Sequence, residues 1–488
     1  MRQFILTLFI GLLSLAGRSQ ETSFSVLKQN ENAHYPLLGI TENAKIKEYQ
    51  MATFQEKNNS YLLNLEIYDS MLVSKNLVSH SWKKSGNDKI QYVGSTLFQQ
   101  KFYSFFSVVT ESKLTNELVM IENQNGKLQI KTLDQFTIKS GSNTGAYKLS
   151  FSPKQKTMLV MKESVVEKGK NEDVKFLVFD EMLNKITDVA MSFPVPSKPN
   201  PVNKVLVDDK GDFFVIKKDR EKTEYKFYLY AYNTELKGWN QKQISIPGKM
   251  ISDIDACLNS SQEFIVSGFY NTLNVSSYEG YFYYRFDASM KYVSKVNKKF
   301  EADFMANFIG KKAASKEDAV ISGYYFENLI SAPDNNSFLI AEIEEFETVE
   351  GTEKYNYGDI MYIQLDQEGN IKNSGSVKNK QQTQNDNGEW SSFNYAACKD
   401  TLHLFHNEVN PTESKSKFTD ATFYGTYQTR IIKGNTITTL PEKEMIFTGE
   451  EPLAFHPEYV YHTSDDYLIF LLLSKDKLNY AVGKMKLK

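Results

Sequence analysis

One short hairpin recurs along this chain and limits what it can fold into. Each copy is a run of alternating apolar residues that ends in Asp or Asn, then a turn, then a second strand-like run. The copies are LEIYDSMLVSK with Asp69, LVMIENQNGKL with Asn123, FLVFDEMLNKI with Asp180, YLYAYNTELKGW with Asn233, YYRFDASMKYV with Asp287 and MYIQLDQEGNI with Asp366. Their marker residues stand 54, 57, 53, 54 and 79 residues apart. TRIIKGNTITT around Gly434 reads as a seventh copy. An Asp or Asn at this place can accept backbone hydrogen bonds from two residues on, which fixes the turn. The period-2 alternation on either side marks half-buried strands.

A second hairpin precedes each of these. KVLVDDKGDFFVI shows it best, with a turn over residues 208–212. Related turns fall at 152–156, 259–263, 333–337, 399–400 and 464–466. Two hairpins per period make four strands per unit, the pattern of a β-propeller. Eight second strands are expected, near Met51, Tyr103, Met158, Phe214, Ile265, Leu339, His403 and Ile469. The last unit has only three strands, and residues 23–27 are placed to supply its fourth and lock the ring. The fold class is therefore all-β, a propeller of seven or eight four-stranded blades. Eight is favoured; seven follows if the first and last units are halves of one blade. Two stacked β-sandwiches are the alternative.

The resemblance to the propeller superfold covers nearly all of the chain after its first 19 residues. Repeated Trp-Asp dipeptides, paired-glycine kelch motifs and Ser-x-Asp-x-Gly-x-x-x-Trp boxes are absent. The chain is similar to uncharacterised exported bacterial β-propeller proteins, a likeness that implies a fold and no activity.

Arg2 followed by the apolar residues 4–16 (FILTLFIGLLSLA) reads as a signal peptide over residues 1–19, with Gly17 and Ser19 at −3 and −1 of a cut before Gln20. That core is too short for a comfortable membrane span. Residues 20–488 are expected to form a single propeller domain, periplasmic or extracellular, with no transmembrane anchor. Net charge is −3, from 57 basic and 60 acidic residues, so no basic excess favours nucleic acid. The only cysteines, Cys257 and Cys398, fall in units five and seven. Two small buried thiols are expected, neither a disulfide nor a metal pair.

Loop lengths point to one face. The A–B and C–D turns of each unit are short, whereas the B–C and D–A connections are long. The B–C loops are expected at 163–174, 270–279, 346–358 and 407–421. The D–A connections are expected at 300–321 and 378–390. Residues 300–316 have helix-like spacing. Long loops over a rigid scaffold are where binding usually resides. Tyr270, Tyr355, Tyr357 and Trp390 sit there among polar residues, as aromatic plates for a sugar ring or a protein hot spot. His406 and His456 are placed near the same face and, with Glu408, could approach one another as a metal site. The acidic run Glu344, Glu345, Glu347, Glu350 and Glu353 reads as a solvated rim.

Chemical motifs are weak. Ser-x-x-Lys occurs at Ser81 to Lys84 and Ser414 to Lys417, both read as polar loops. No Gly-x-Ser-x-Gly elbow, His-Glu-x-x-His helix or Walker A loop occurs. Asp208 to Asp212 mimics a calcium loop but lacks its length and distal Glu, and reads as a turn. No catalytic residue, cofactor or metal is assigned. The expected function is a non-catalytic binding or scaffold protein, a monomer that holds a protein or glycan on the long-loop face. The alternatives are a secreted glycan-active or metal-assisted hydrolase or lyase, and a purely structural part of an envelope assembly.

Overall fold

The computed structural model describes residues 22–25, 28–29, 37–57, 59–124, 127–139, 144–163, 170–194, 202–221, 224–272, 276–398, 400–407, 426–433, 436–439, 443–444, 453–464, 466–474 and 479–487. The expected signal peptide, Glu408, the 407–421 loop beyond Asn407, the second Ser-x-x-Lys copy and Gly434 lie outside them.

Eight antiparallel sheets, each with four strands in meander order, follow one another along the chain. Blades 1 to 7 span residues 37–83, 89–137, 146–193, 202–244, 250–299, 324–377 and 393–439. Blade 8 is made of Leu453–His462, Tyr467–Ser474 and Asn479–Lys486, and its outer strand is Thr22–Phe24 from the other end of the chain. The ring is therefore an eight-bladed propeller closed as the sequence predicts. The inner strand of blade 8 packs beside Leu37–Asn43 of blade 1. There Glu42 Oε2 accepts a hydrogen bond from Ser464 N at 2.8 Å. The two-sandwich alternative is excluded.

The marker residues fix their turns as expected. Asp69 Oδ1 accepts from the amides of Met71 and Val73, Asp180 Oδ1 from Met182 and Asn184, and Asp287 Oδ1 from Ser289 and Lys291, all at 2.8–3.0 Å. Asp208 does the same for Lys210 and Asp212 at 2.9 Å, so this segment is a turn. Asn123 differs: its Nδ2 donates across the blade interface to Gln50 Oε1 at 2.9 Å.

Strand position sets burial. The second strand Phe264–Asn271 is buried at every residue, because its two faces meet the blades on either side. The outer strand Ser74–Lys83 alternates between exposed and half-buried. Apolar clusters fill the spaces between blades. Phe214 of blade 4 stacks on Phe264 of blade 5 at 4.4 Å between ring centroids, and each such buried ring contributes roughly 2–3 kcal/mol. Near the axis, Asp255 of blade 5 bridges both neighbours. Its Oδ1 accepts from Lys204 Nζ at 2.6 Å and its Oδ2 from Leu329 N at 3.0 Å.

Between blades 5 and 6 the expected helical segment forms α1 (Ala302–Ile309) and α2 (Lys311–Ala314). Gly310, at φ +79°, separates them. Phe304 stacks on Phe300 at 4.2 Å, and Phe308 meets Tyr324 edge-on at 6.1 Å, seating α1 on the barrel of blades. Among the described residues no helix is long and apolar enough to cross a membrane.

Candidate functional site on the long-loop face

Blade 6 departs from the other blades, and the reason is local. Its inner strand Tyr324–Ser331 pairs only with residues 337–343 of the neighbouring strand Ser337–Val349. That strand and its partner Thr352–Leu365 continue well beyond, in register to Val349 and Thr352. Glu350 and Gly351 make the two-residue turn between them, with φ of +52° and +80°. Positive φ at both positions is the type I′ geometry that matches the twist of a long hairpin. Gln381–Gln384 adds a third strand along residues 354–357. The segment expected as a loop at 346–358 is thus strand apart from its two-residue turn, and the 378–390 connection adds the strand 381–384, so that together they form a three-stranded arm that projects from the propeller.

The arm carries exposed apolar groups among acids. Phe346 is 60% exposed and Tyr325, near its base, 56%. Phe346 packs on Tyr355 at 5.0 Å between centroids. The Tyr355 hydroxyl donates to Glu353 Oε2 at 2.9 Å and to Asn387 Oδ1 at 3.3 Å. Glu345, Glu347 and Glu350 are exposed, as read for a solvated rim.

Glu344 is different, because it belongs to a cluster of carboxyls at the root of the arm. A bulge between Glu342 and Glu344 and another between Phe326 and Asn328 bring Glu327, Glu342 and Glu344 together. Glu342 is fully buried, accepting from Asn379 Nδ2 at 3.1 Å and from Ser392 Oγ. Burial, then the neighbouring acids, push Glu342 up to about 8 and Glu327 up to about 7. The Glu327 and Glu344 carboxyls lie close enough to act on one another, and burial raises Glu344 as well. Asp253 of blade 5 lies close enough to add to the repulsion. It is itself raised by burial and accepts from the Tyr278 hydroxyl at 2.7 Å. Burial and then the three glutamates also raise the Tyr357 phenol. The arrangement holds protons near neutrality that ordinary carboxyls would lose.

Beside the arm, Trp390 meets His456 edge-on at 5.3 Å, and His456 stacks on Tyr459 at 4.3 Å. His456 Nε2 faces Glu389 Oε1 at 3.3 Å. Asn407 locks the group to blade 8: its Nδ2 donates to the carbonyls of Trp390 and Phe455, and its Oδ1 accepts from Phe455 N. Gln381 Nε2 in turn donates to Asn407 O at 2.9 Å.

The six residues singled out from the sequence therefore divide. Tyr355 and Tyr357 share the arm, and Trp390 and His456 form one aromatic pair next to it. Tyr270 does not join them: it is buried in the blade 4/5 core at the end of its own strand, under Lys249. His406 and His456 sit on different blades, and Glu408, the third member of the expected set, lies outside the described residues. His406 lies on the same strand face as Leu402 and Leu404, which pack toward blade 6, whereas His456 belongs to blade 8. Ser81 is not in a loop but in the exposed outer strand of blade 1. Sequence reasoning missed the carboxyl cluster. Its signal was present, since Glu342 falls in alternation with the core residues Phe338 and Ile340.

The fold and this face define an eight-bladed β-propeller with one elaborated sector. No family model and no curated protein matches the chain. Among solved structures it is similar to the WD40 domain of SCAP from fission yeast, at 9% identity over 95% of this chain and 98% of that one, with a TM-score of 0.42. It is also similar to the β-propeller domain of the Trilobed protease from Pyrococcus furiosus, at 10% identity over 81% and 93% with a TM-score of 0.39. The polysaccharide lyase Uly1 is a further neighbour, at 10% identity over 81% and 90% with a TM-score of 0.39.

Proposed function

We propose that this chain is an exported, non-catalytic binding or scaffold protein that holds a protein partner on the long-loop face of blade 6. The carrying observation is the three-stranded arm, which presents the Phe346 and Tyr355 pair beside Glu353 on one face and Glu345 and Glu347 on the other. An aromatic anchor beside a carboxylate suits a partner with an apolar centre and a basic group next to it. Export rests on residues 1–19, and a cut before Gln20 leaves the closing strand at Thr22 in the mature chain. The protein acts as a monomer in this reading.

A photo-crosslinking side chain at position 346 tests the proposal, with one at the exposed Leu236 on the short-turn face as control. The expected result is one recurrent protein adduct from 346 that is absent from 236 and lost when Tyr355→Ala and Glu353→Lys are added. Indistinguishable adducts from both positions, or tight binding of a neutral glycan that these changes leave intact, overturn it.

A second reading is favoured by the carboxyl cluster alone. Protonated Glu327 beside Glu344 is suited to general acid work on a glycan. Hydrolysis or elimination of any member of a glycan panel, abolished in Glu327→Gln, would support that reading over the first.

A further inference from the structure

On the opposite face, where the A–B turns lie, three potential metal ligands from two blades converge. Cys398 ends the inner strand of blade 7 (Phe393–Cys398), and His462 ends the inner strand of blade 8. Asp466 sits in the blade 8 turn that follows, held at φ +58°. Cys398 Sγ is 3.4 Å from His462 Nε2 and 3.5 Å from Asp466 Oδ1, and Nε2 and Oδ1 are 3.5 Å apart. Among the described residues this is the one group of three or more Cys, His, Asp or Glu ligand atoms close enough to share an ion.

The spacings match tetrahedral zinc. Bond lengths of about 2.3 Å to sulfur and about 2.0–2.2 Å to nitrogen and oxygen place tetrahedral ligands roughly 3.3–3.6 Å apart. A nucleophilic relay would look different. In a Cys–His–Asp relay the carboxylate orients the imidazole through the nitrogen that the nucleophile does not touch. Here the thiol and the carboxylate both approach Nε2 and each other, an arrangement that a shared cation explains and a relay does not.

A second observation points to the same place. His403 is fully buried, and neither of its ring nitrogens has a hydrogen-bond partner among the described residues. It shares a strand face with Phe405, which packs in the blade 7/8 core alongside Cys398. His462 and Asp466 lie near enough to act on it electrostatically. Buried polar atoms are rarely left unsatisfied.

We propose that Cys398, His462 and Asp466 bind one divalent transition-metal ion, with zinc the best fit, and that His403 completes or supports the set. A thiolate, imidazoles and a single carboxylate favour zinc over calcium or magnesium, which take oxygen ligands. The ion would staple blade 8, the blade closed by Thr22–Phe24, to blade 7. Binding would release the Cys398 proton to solvent as the thiolate coordinates.

The test uses the full mature chain, freed of metal and titrated with Co2+, then Zn2+. The expected result is one equivalent of Co2+ showing tetrahedral d–d bands and a thiolate-to-cobalt charge-transfer band, displaced by Zn2+. Cys398→Ser removes the charge-transfer band while Cys257→Ser keeps it. Asp466→Asn, an exposed change that leaves the core intact, weakens affinity at least about tenfold, on the scale of a lost metal-site contact. Octahedral spectra, no stoichiometric uptake by the wild-type chain, or a charge-transfer band that survives in Cys398→Ser would overturn the proposal. The wild-type titration decides even if a variant fails to fold. The site is remote from the arm, so neither outcome bears on the partner reading.

Discussion

Lys217 of blade 4 and Glu172 of blade 3 form an ion pair across the blade interface with side chains 0% and 5% exposed. The Lys217 ammonium also lies 5.3 Å from the centroid of the Phe193 ring. Two charges removed from water are tolerated here because each neutralises the other. Removing one leaves the second buried and uncompensated, which costs about 3–5 kcal/mol. Lys217→Met should therefore lower stability by about that amount in urea unfolding. The double change Lys217→Met with Glu172→Leu should recover most of it, since an apolar pair of similar volume has no desolvation to repay. Equal losses in the single and double variants would show that packing and not charge holds this interface.

Gly268 marks a place where backbone approaches backbone. The inner strand Met250–Leu258 bulges between Ile251 and Asp253, and Gly268 pairs with Ile254 just beyond. A Cβ at 268 would lie 2.0 Å from the Asp253 carbonyl oxygen and 2.9 Å from Ile254 Cα. Neither neighbour is a side-chain end that can swing away. Overpacking commonly costs about 1–3 kcal/mol, and a clash with main chain belongs at or above the top of that range. Gly268→Ala should lower the unfolding midpoint sharply, whereas Gly238→Ala, whose nearest contact would be at 3.8 Å, should change it little. Calorimetry on the two variants side by side checks this.

The local devices of this fold were legible in the sequence, and the contacts between blades were not. Asp69, Asp180 and Asp287 announced their turns because a short acid bonding the next amides is a local device, complete within five residues. The eight second strands were legible for the same reason, since alternation is local. The arm was misread as loop because its Glu, Asn and Tyr content suggested solvent. The Glu350-Gly351 turn, flanked by alternating residues, was the better signal. Tyr270 was misread in the opposite sense: polar neighbours at Asn271 and Thr272 hid that it ends a fully buried strand. Pairings such as Lys217 with Glu172, or Cys398 with His462, depend on register between blades. No spacing within one strand encodes them.

The carboxyl at Glu342 should give stability an unusual pH dependence. An ordinary glutamate loses its proton near 4.5, as this one does in the unfolded chain, but in the folded protein it keeps the proton to about 8. Between those values the folded state binds more protons than the unfolded state, so stability falls as pH rises. The slope from this one group is at most about 1.4 kcal/mol per pH unit. Below about pH 4.5 its contribution is flat. Glu342→Gln keeps the shape without the charge. From about pH 5 to about pH 9 its stability should therefore rise relative to the wild type, by on the order of a few kcal/mol. Urea midpoints of both proteins across that range measure the difference. A pH-independent gap would mean that Glu342 stays ionised in the fold.

Thr22–Phe24 lies antiparallel to Asn479–Lys486, with Thr22 opposite Met485 and Phe24 opposite Gly483. Ser25 extends the grip: its N donates to Val482 O at 2.9 Å, and Val482 N donates to Ser25 Oγ at 3.0 Å. Lys28 then pairs with Tyr480 further along. Removing residues 1–29 deletes these bonds, each worth about 1 kcal/mol net. It also leaves Asn479–Lys486 as a bare edge strand open to pairing with another chain. The truncated protein should unfold at lower temperature and self-associate as concentration rises, and a synthetic peptide of residues 20–30 added in trans should reverse both. Calorimetry and light scattering at several concentrations read the outcome. A monomeric truncated chain with an unchanged midpoint would show that the contact between blades 8 and 1, not the shared sheet, closes the ring.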